Sequence, residues 1–362
     1  MLTKLETPPS GLLRLLLGLV LWLVACAPAA GEPRPASPPN ATAAAPPPAA
    51  SAAATPAPPL RVRFSYSTAS GSSLPYWVAQ EAGLFAKYGL EADVSYMAAT
   101  TAMSALLAHD VDLTSTAGAE LVAAHVEGAD VVAIAGVSSK VTQALYVAPT
   151  ITAPGGLRGQ RLGITRLGSL SDFAARYLLR QWNLRPDEDV AMIQVGGYPE
   201  ILAALSAGGV DAGMLTPPIT LQAQDVGYVE LANLWTAPLE YPATLLARKR
   251  AGGPEDDEIA RRFVRVIAES IRLVQDDRDL ALRVLQAQTK TDDPRVLAAT
   301  YEVYAPLFDR DLRLSREAFQ AAIDQLAVSN PRAASASPDA MVDRRFVNEL
   351  AQSGLLERLG AR

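Results

Sequence analysis

The chain has 362 residues, 49% of them hydrophobic, with a formal net charge of −6; this is enough chain for two domains with a sizeable core. The acidic balance and the lack of any Lys or Arg run argue against a nucleic-acid partner. One cysteine and two histidines exclude an intrachain disulfide and a Cys-based metal cluster, and no metal or cofactor is expected.

In chain order, Lys4 and Arg14 precede an apolar run from Leu15 to Ala25. The run is too short for a comfortable membrane span and fits the apolar region of a secretory signal over residues 1–25. Cys26, the sole cysteine, follows Leu23-Val24-Ala25, a pattern that resembles the bacterial lipobox and implies lipidation there. Residues 26–59 are almost all Ala, Pro, Ser and Thr. Such a segment cannot bury enough apolar surface to fold and reads as an extended tether, reaching up to roughly 100 Å at about 3.1 Å per residue.

The folded body begins at residue 60. Leu60 to Tyr66 alternates as a strand, a polar loop runs to Ser73, and Leu74 opens a helix with Pro75 in its first turn. Glu91 to Met97 is a second strand, which completes a βαβ unit. A short helix at Met103 to Leu107, a strand at Val111 to Leu113, a helix at Leu121 to Val126 and an apolar strand at Val131 to Val137 follow. Ala144 to Val147 is read as the strand crossing into a second lobe. That lobe holds a strand at Arg161 to Ile164, a helix at Asp172 to Trp182, a strand at Ala191 to Val195, a helix through Leu205 and a strand at Val210 to Leu215. Ala243 to Ala247 returns the chain to the first lobe. Beyond Glu255, Ile259, Phe263, Ile267 and Ile271 recur at four-residue steps, a helical stripe suited to core packing.

One pattern occurs twice. Ala105-Leu106-Leu107-Ala108-His109-Asp110-Val111-Asp112 returns, offset from Ala105 to Ala204, as Ala204-Leu205-Ser206-Ala207-Gly208-Gly209-Val210-Asp211. Gly71-Ser72-Ser73-Leu74 and Gly168-Ser169-Leu170-Ser171 correspond upstream. Two similar α/β lobes facing each other make a cleft for a small molecule. Asp112 and Asp211, each at a strand start, read as structural.

The stretch Ala79-Gln80-Glu81-Ala82-Gly83-Leu84-Phe85, within Leu74 to Leu90, resembles the opening of solute-binding proteins of the nitrate, sulfonate and taurine importer group, which the binders of thiamine-pyrimidine precursors share. Leu157-Arg158-Gly159-Gln160-Arg161-Leu162-Gly163 resembles the start of their second lobe. The resemblance covers roughly residues 60 to 250. It implies an α/β, two-lobed, type II periplasmic-binding-protein-like fold with a hinge and an interlobe cleft. Lobe 1 comprises 60–147 and 240–362, and lobe 2 comprises 148–239. Carried over by position, the ligand residues are Ser67, Thr68, Tyr76, Trp77, Thr116, Ala117, Gly168, Ser169, Ser171, Thr216 and Pro217. The implied partners are a small-molecule solute, an ABC permease with its ATPase, and the membrane through the lipid anchor, for a monomeric protein outside the cytoplasm.

The helix starts near Leu74 and Ser169 offer unpaired N–H groups and a partial positive charge to an anion. Ser171 reads equally well as a helix N-cap. Arg166 suits a sulfonate or carboxylate but reads more simply as a solvated loop charge. Tyr76 or Trp77 suits a flat heterocycle. The reading is therefore a binder of a small anion such as nitrate, a sulfonate or taurine. The alternatives are a heterocycle binder, a ligand sensor, or an enzyme on the same fold. No Gly-x-Ser-x-Gly elbow, P-loop, Rossmann fingerprint or His metal spacing is present, so a non-enzymatic role is expected. Glu255 to Glu258 follow Pro254 at a helix start and suit the helix dipole.

Overall fold

Leu60–Tyr66 (β1) pairs in parallel with Leu90–Tyr96 (β2) on one side and Leu113–Thr116 (β3) on the other. In this computed structural model the described residues are 58–360. The signal segment, Cys26 and the tether up to residue 57 lie outside them. The helices between these strands are Leu74–Glu81 (α1), the single turn Leu84–Lys87 (α2) and Ala99–Leu107 (α3). Gly118–Val126 (α4) leads from β3 to Val131–Ser138 (β4), buried over all eight residues. The chain then crosses through 139–143 into a second sheet.

That sheet is built from Ala144–Val147 (β5), Arg161–Ile164 (β6), Ala191–Gln194 (β7), Ala212–Leu215 (β8) and Val229–Asn233 (β9), in the order β7-β6-β8-β5-β9. Its helices are Leu170–Gln181 (α5), Tyr198–Ser206 (α6) and Ile219–Asp225 (α7). The chain returns through 234–243 to Thr244–Lys249 (β10), which lies antiparallel between β3 and β4 and completes the order β2-β1-β3-β10-β4. Each sheet thus has three parallel strands, then one antiparallel strand, then an edge strand. The antiparallel strands are those that follow the two crossings.

The sequence reading ended lobe 1 at residue 147. Ala144–Val147 instead hydrogen-bonds to β8 and β9, so this strand belongs to the second sheet and the crossing precedes it. Strand β9 had no sequence signal, because Val229-Glu230-Leu231-Ala232-Asn233 is of mixed polarity and only part-buried.

The repeat has a physical content. Asp112 accepts the Arg63 backbone N–H at 2.8 Å and its guanidinium at 2.6 Å. Asp211 accepts the Arg161 N–H at 2.9 Å and its guanidinium at 2.9 Å. The N–H groups of Asp112 and Asp211 are in turn donated to the carbonyls of Arg63 and Arg161, both at 2.9 Å. Each aspartate therefore staples the third parallel strand to the first at the end remote from their shared C-terminal edge. The preceding turn takes a left-handed residue in both copies, His109 (φ 62°) and Gly208 (φ 70°), where glycine is the easier choice.

The C-terminal helices complete the first lobe. Pro254–Asp276 (α8) buries Ile259, Phe263, Ile267 and Ile271, each 5% exposed or less, against β1, β4 and α1. Arg278–Thr289 (α9), Pro294–Tyr304 (α10) and Arg345–Gln352 (α12) join the same core through Val284, Leu297 and Phe346. Arg316–Ser329 (α11) sends Phe319 and Ile323 into a second core that runs on through the crossings to Phe173 of α5. There Tyr241, in the return crossing, stacks on Phe173 with ring centroids 4.0 Å apart. Three of the acids at the start of α8 have partners. Asp256 accepts the Gly253 N–H at 2.6 Å, Asp257 pairs with Arg248 at 2.8 Å, and Glu258 pairs with Arg262 at 2.8 Å.

Behind the crossings, the Asp309 N–H is donated to the Val137 carbonyl at 2.9 Å, while its carboxylate Oδ2 has no partner among the described residues. Burial pushes this carboxyl up to about 6. Asp311 and Glu240 add to the rise, and the Ser139 hydroxyl and Arg313 oppose it. The folded protein therefore holds this proton more tightly than the unfolded chain does. The stability it provides is full below about pH 4 and is lost as pH rises through about 6. Asp309→Asn removes the cost of the charge, so it should stabilise the protein by about 1–2 kcal/mol at pH 7.5, after screening at this part-buried site, and by much less at pH 4. Denaturant midpoints at the two pH values test this, and equal effects at both would refute it.

Candidate functional site

A cavity of about 560 Å³ lies between the lobes, within the size range of small-molecule sites. Its walls are the segments that follow the C-terminal ends of the parallel strands in both sheets, the usual position for ligands in α/β folds. Lobe 1 contributes Ser67 and Thr68 after β1, Ala98 to Thr100 after β2, and Ser115 to Ala117 with Glu120 from the end of β3 into α4. Lobe 2 contributes Thr165, Arg166 and Ser169 after β6, Gly196 to Glu200 after β7, and Thr216 after β8. Lys140, Thr142 and Gln143 come from the first crossing, and Tyr304 and Phe308 from the C-terminal helices.

The helix starts around the cavity are of two kinds. Of the two expected to take an anion, α5 is capped by a side chain, whereas α1 has no cap of its own and follows a capped turn. Ser70 Oγ accepts the Ser72 N–H at 3.4 Å in the turn leading into α1, and Ser169 Oγ accepts the Asp172 N–H at 3.4 Å at the start of α5. Helices α3, α4 and α6 instead begin after Ala98, Ala117 and Gly197, with no side-chain cap. Small residues stand here where Ser, Thr, Asp or Asn is favoured. Glu120 and Glu200 occupy the first turns of α4 and α6, whereas the first turn of α3 carries no acid.

Several wall hydroxyls are already bonded to one another. Thr165 Oγ1 lies 2.9 Å from Ser169 Oγ and 2.8 Å from Ser171 Oγ. Thr216 Oγ1 donates to the Thr142 carbonyl at 3.1 Å and lies 2.5 Å from the Tyr304 hydroxyl, which ties both lobes and the crossing to α10. The Gln143 amide donates to the Tyr198 hydroxyl at 2.9 Å. Glu120 of lobe 1 pairs with Arg166 of lobe 2 across the cleft. Burial pushes the Glu120 carboxyl up, against the pull of Arg166 and the α4 N–H groups.

Of the residues proposed from sequence, Ser67, Thr68, Thr116, Ala117, Ser169 and Thr216 line the cavity. Tyr76 and Trp77 do not. They are 0% and 3% exposed in the lobe 1 core, where Tyr76 packs on Phe64 with ring centroids 4.9 Å apart. Burial also raises the Tyr76 hydroxyl pKa, and that hydroxyl donates to Ser115 Oγ at 2.8 Å, so Tyr76 holds up a wall residue. Gly168, Ser171 and Pro217 stand behind the lining. Gly168 supplies a left-handed turn (φ 75°), and Ser171 accepts the Thr165 N–H at 2.9 Å instead of capping α5. Pro217 forms a cis peptide bond with Pro218. Arg166 lines the cavity, is part-exposed, and is paired with Glu120 rather than standing as a free loop charge.

Sequence reasoning missed Ala98, Glu120, Lys140, Gln143, Tyr198 and Tyr304. The repeat could have found Ala98 and Tyr198, because they follow β2 and β7 as surely as Ser67 follows β1. Tyr304 comes from α10, far along the chain, and carried no local signal. Among the described residues, no group of three or more His, Cys, Asp or Glu is placed to hold a metal ion.

Two α/β sheets exchanging strands across two crossings, with a cavity between the C-terminal edges of both, define the periplasmic-binding-protein class of fold. Residues 71–281, more than half of the chain, match the NMT1/THI5-like family, and the chain belongs to that family. A search of curated proteins finds no match. Among solved structures, a protein from Bordetella bronchiseptica RB50 superposes with a TM-score of 0.70 at 20% identity, covering 81% of this chain and 97% of that one. The alkanesulfonate-binding protein SsuA from Xanthomonas axonopodis pv. citri, bound to MOPS, gives 0.65 at 18% identity, covering 80% and 99%. The periplasmic nitrate-binding protein NrtA from Synechocystis PCC 6803 gives 0.61 at 14% identity, covering 82% and 89%.

Proposed function

We propose that this protein is an extracytoplasmic, non-enzymatic solute-binding lipoprotein that captures a small anionic organic molecule between its lobes and delivers it to an ABC permease and its ATPase. The observation that carries this reading is the interlobe cavity itself. It is walled by hydroxyls, it meets the uncapped start of α3, and it receives Lys140 from the crossing. Unpaired N–H groups at a helix start and a cation are the means by which folded proteins hold an anion. The sulfonate- and nitrate-binding relatives in structure are consistent with such a solute. The crossings at 139–143 and 234–243 act as the hinge, and closure about them is the state a permease reads. Cys26 carries the lipid, the tether spans the gap to the membrane surface, and the protein works as a monomer.

The heterocycle reading loses the support of Tyr76 and Trp77, which are buried. Among the cavity aromatics, Tyr198 and Tyr304 have hydroxyls engaged with Gln143 and Thr216, which leaves Tyr96 and Phe308 as the rings that could support it.

Thermal unfolding of the full chain against nitrate, alkyl- and arylsulfonates, taurine, bicarbonate, pyrimidines and amino acids tests the proposal. A solute at 100 times its dissociation constant should stabilise the protein by about 2.7 kcal/mol. A cooperative transition that no compound shifts would count against the importer reading for these solute classes.

A further inference from the structure

The cavity wall contains three buried polar side-chain atoms with no hydrogen-bond partner among the described residues: Glu120 Oε2, Gln143 Oε1 and Thr116 Oγ1. Two of these can only accept. The Glu120 side chain is 10% exposed. Its first-turn position on α4 and its pair with Arg166 account for its charge and for Oε1, but not for Oε2. The Gln143 amide nitrogen is committed to Tyr198, which leaves its carbonyl open. Buried acceptors left unsatisfied are costly and rare in folded proteins, so these two call for donors supplied from outside the chain. The groups free to attract negative charge, Lys140 and the start of α3, belong to the same cavity. The site therefore combines a place for negative charge with a surplus of acceptors.

We infer that Glu120 is a specificity-determining residue that accepts an N–H group of the solute, so that the site selects a zwitterion, an amine or amidine carried beside an anionic group, over a plain anion. This rests on the solute-binding reading above. A nitrate or simple alkylsulfonate presents only acceptors, and it would leave Glu120 Oε2 and Gln143 Oε1 unpaired while adding like charge beside Glu120. A solute with an ammonium group meets both needs.

Matched pairs differing only in the nitrogen test the inference: taurine against ethanesulfonate, and β-alanine against propionate. They are titrated calorimetrically into the full chain and into Glu120→Gln. The expected result is at least tenfold tighter binding of the aminated member. The variant should lose that preference while holding the des-amino member unchanged or tighter. Glu120→Gln should also leave the melting temperature of the ligand-free protein unchanged or raised, because it removes a buried charge with an unsatisfied oxygen. Equal or tighter binding of the des-amino members by the parent protein overturns the inference and leaves the solute-binding reading standing. Equal weakening of both members in Glu120→Gln does the same. A fall of 5 °C or more in the ligand-free variant overturns the inference on its own, whatever binds, because Glu120 would then be a strut between the lobes.

Discussion

Gly136→Ala is expected to destabilise the protein by about 3 kcal/mol, at the upper end of what overpacking costs. Gly136 lies in β4, where the ladder to β10 shifts register at Leu245. Its N–H is donated to the Leu312 carbonyl at 2.9 Å. A Cβ on Gly136 would stand 2.0 Å from the Arg313 carbonyl oxygen and 3.0 Å from its carbon. The obstacle is backbone, so no rotamer change relieves it. The segment 309–313 must move, and it carries the main-chain bonds that cover the outer edge of β4, an edge otherwise open to pairing. Asp343, whose N–H is donated to the Ala133 carbonyl at 2.8 Å, covers the same edge further along. In denaturant unfolding the midpoint should fall with little change in slope. Gly155→Ala is the control, because a Cβ there meets nothing within 4 Å and its effect should stay within about 0.5 kcal/mol. An unchanged midpoint for Gly136→Ala would show that β4 and the 309–313 segment are not packed as described.

This edge shows why some of the fold was legible in the sequence and some was not. The strands with a strong period or a continuous apolar run, such as Leu60 to Tyr66 and Val131 to Val137, declare themselves because burial selects their residues locally. The duplication was legible because each copy must solve the same local problem: a left-handed turn, then an aspartate that staples the third parallel strand to the first. Strand β9 was not legible, because its pairing with β5 sets its conformation and not its own polarity. The allocation of β5 to a lobe is likewise a matter of pairing partners, which a single strand does not encode.

The site follows the same division. Loops after parallel strands can be located from the strand pattern, and Ser67, Thr116, Ser169 and Thr216, which the family resemblance implied, stand at or after the ends of such strands. Which way a side chain turns from such a loop depends on packing. Tyr76 and Trp77 look like ligand aromatics in sequence, yet both lie on the face of α1 that closes over the lobe 1 core. Helix caps mislead for a related reason. Ser169 marks a helix start that its own hydroxyl already satisfies, whereas the starts left open follow alanine or glycine, residues that attract no notice.

Lys140→Glu should weaken binding of the negatively charged solute by at least 100-fold, about 2.7 kcal/mol. Lys140 comes from the first crossing and lines the cavity. Glu240 lies close enough for Lys140 to help lower its pKa. The carboxylate oxygens of Glu240 are nonetheless taken, by Arg313 at 3.1 Å and the Ser315 hydroxyl at 2.7 Å, so among the described residues Lys140 has no direct ion-pair partner, in contrast to Arg166. A hydrogen bond to a charged group contributes about 1.5–3 kcal/mol, and reversing the charge adds repulsion to that loss. Lys140→Ala removes only the attraction and should cost about ten- to thirtyfold. The penalty of the reversal should shrink as salt is raised, because screening acts on whatever part of the interaction reaches solvent. The ligand-free melting temperature should move little, because Lys140 is part-exposed and such substitutions usually stay within about 0.5 kcal/mol. Affinity unchanged in Lys140→Glu would place the negative charge of the proposed solute elsewhere, at the start of α3 alone, and would make Lys140 a bystander.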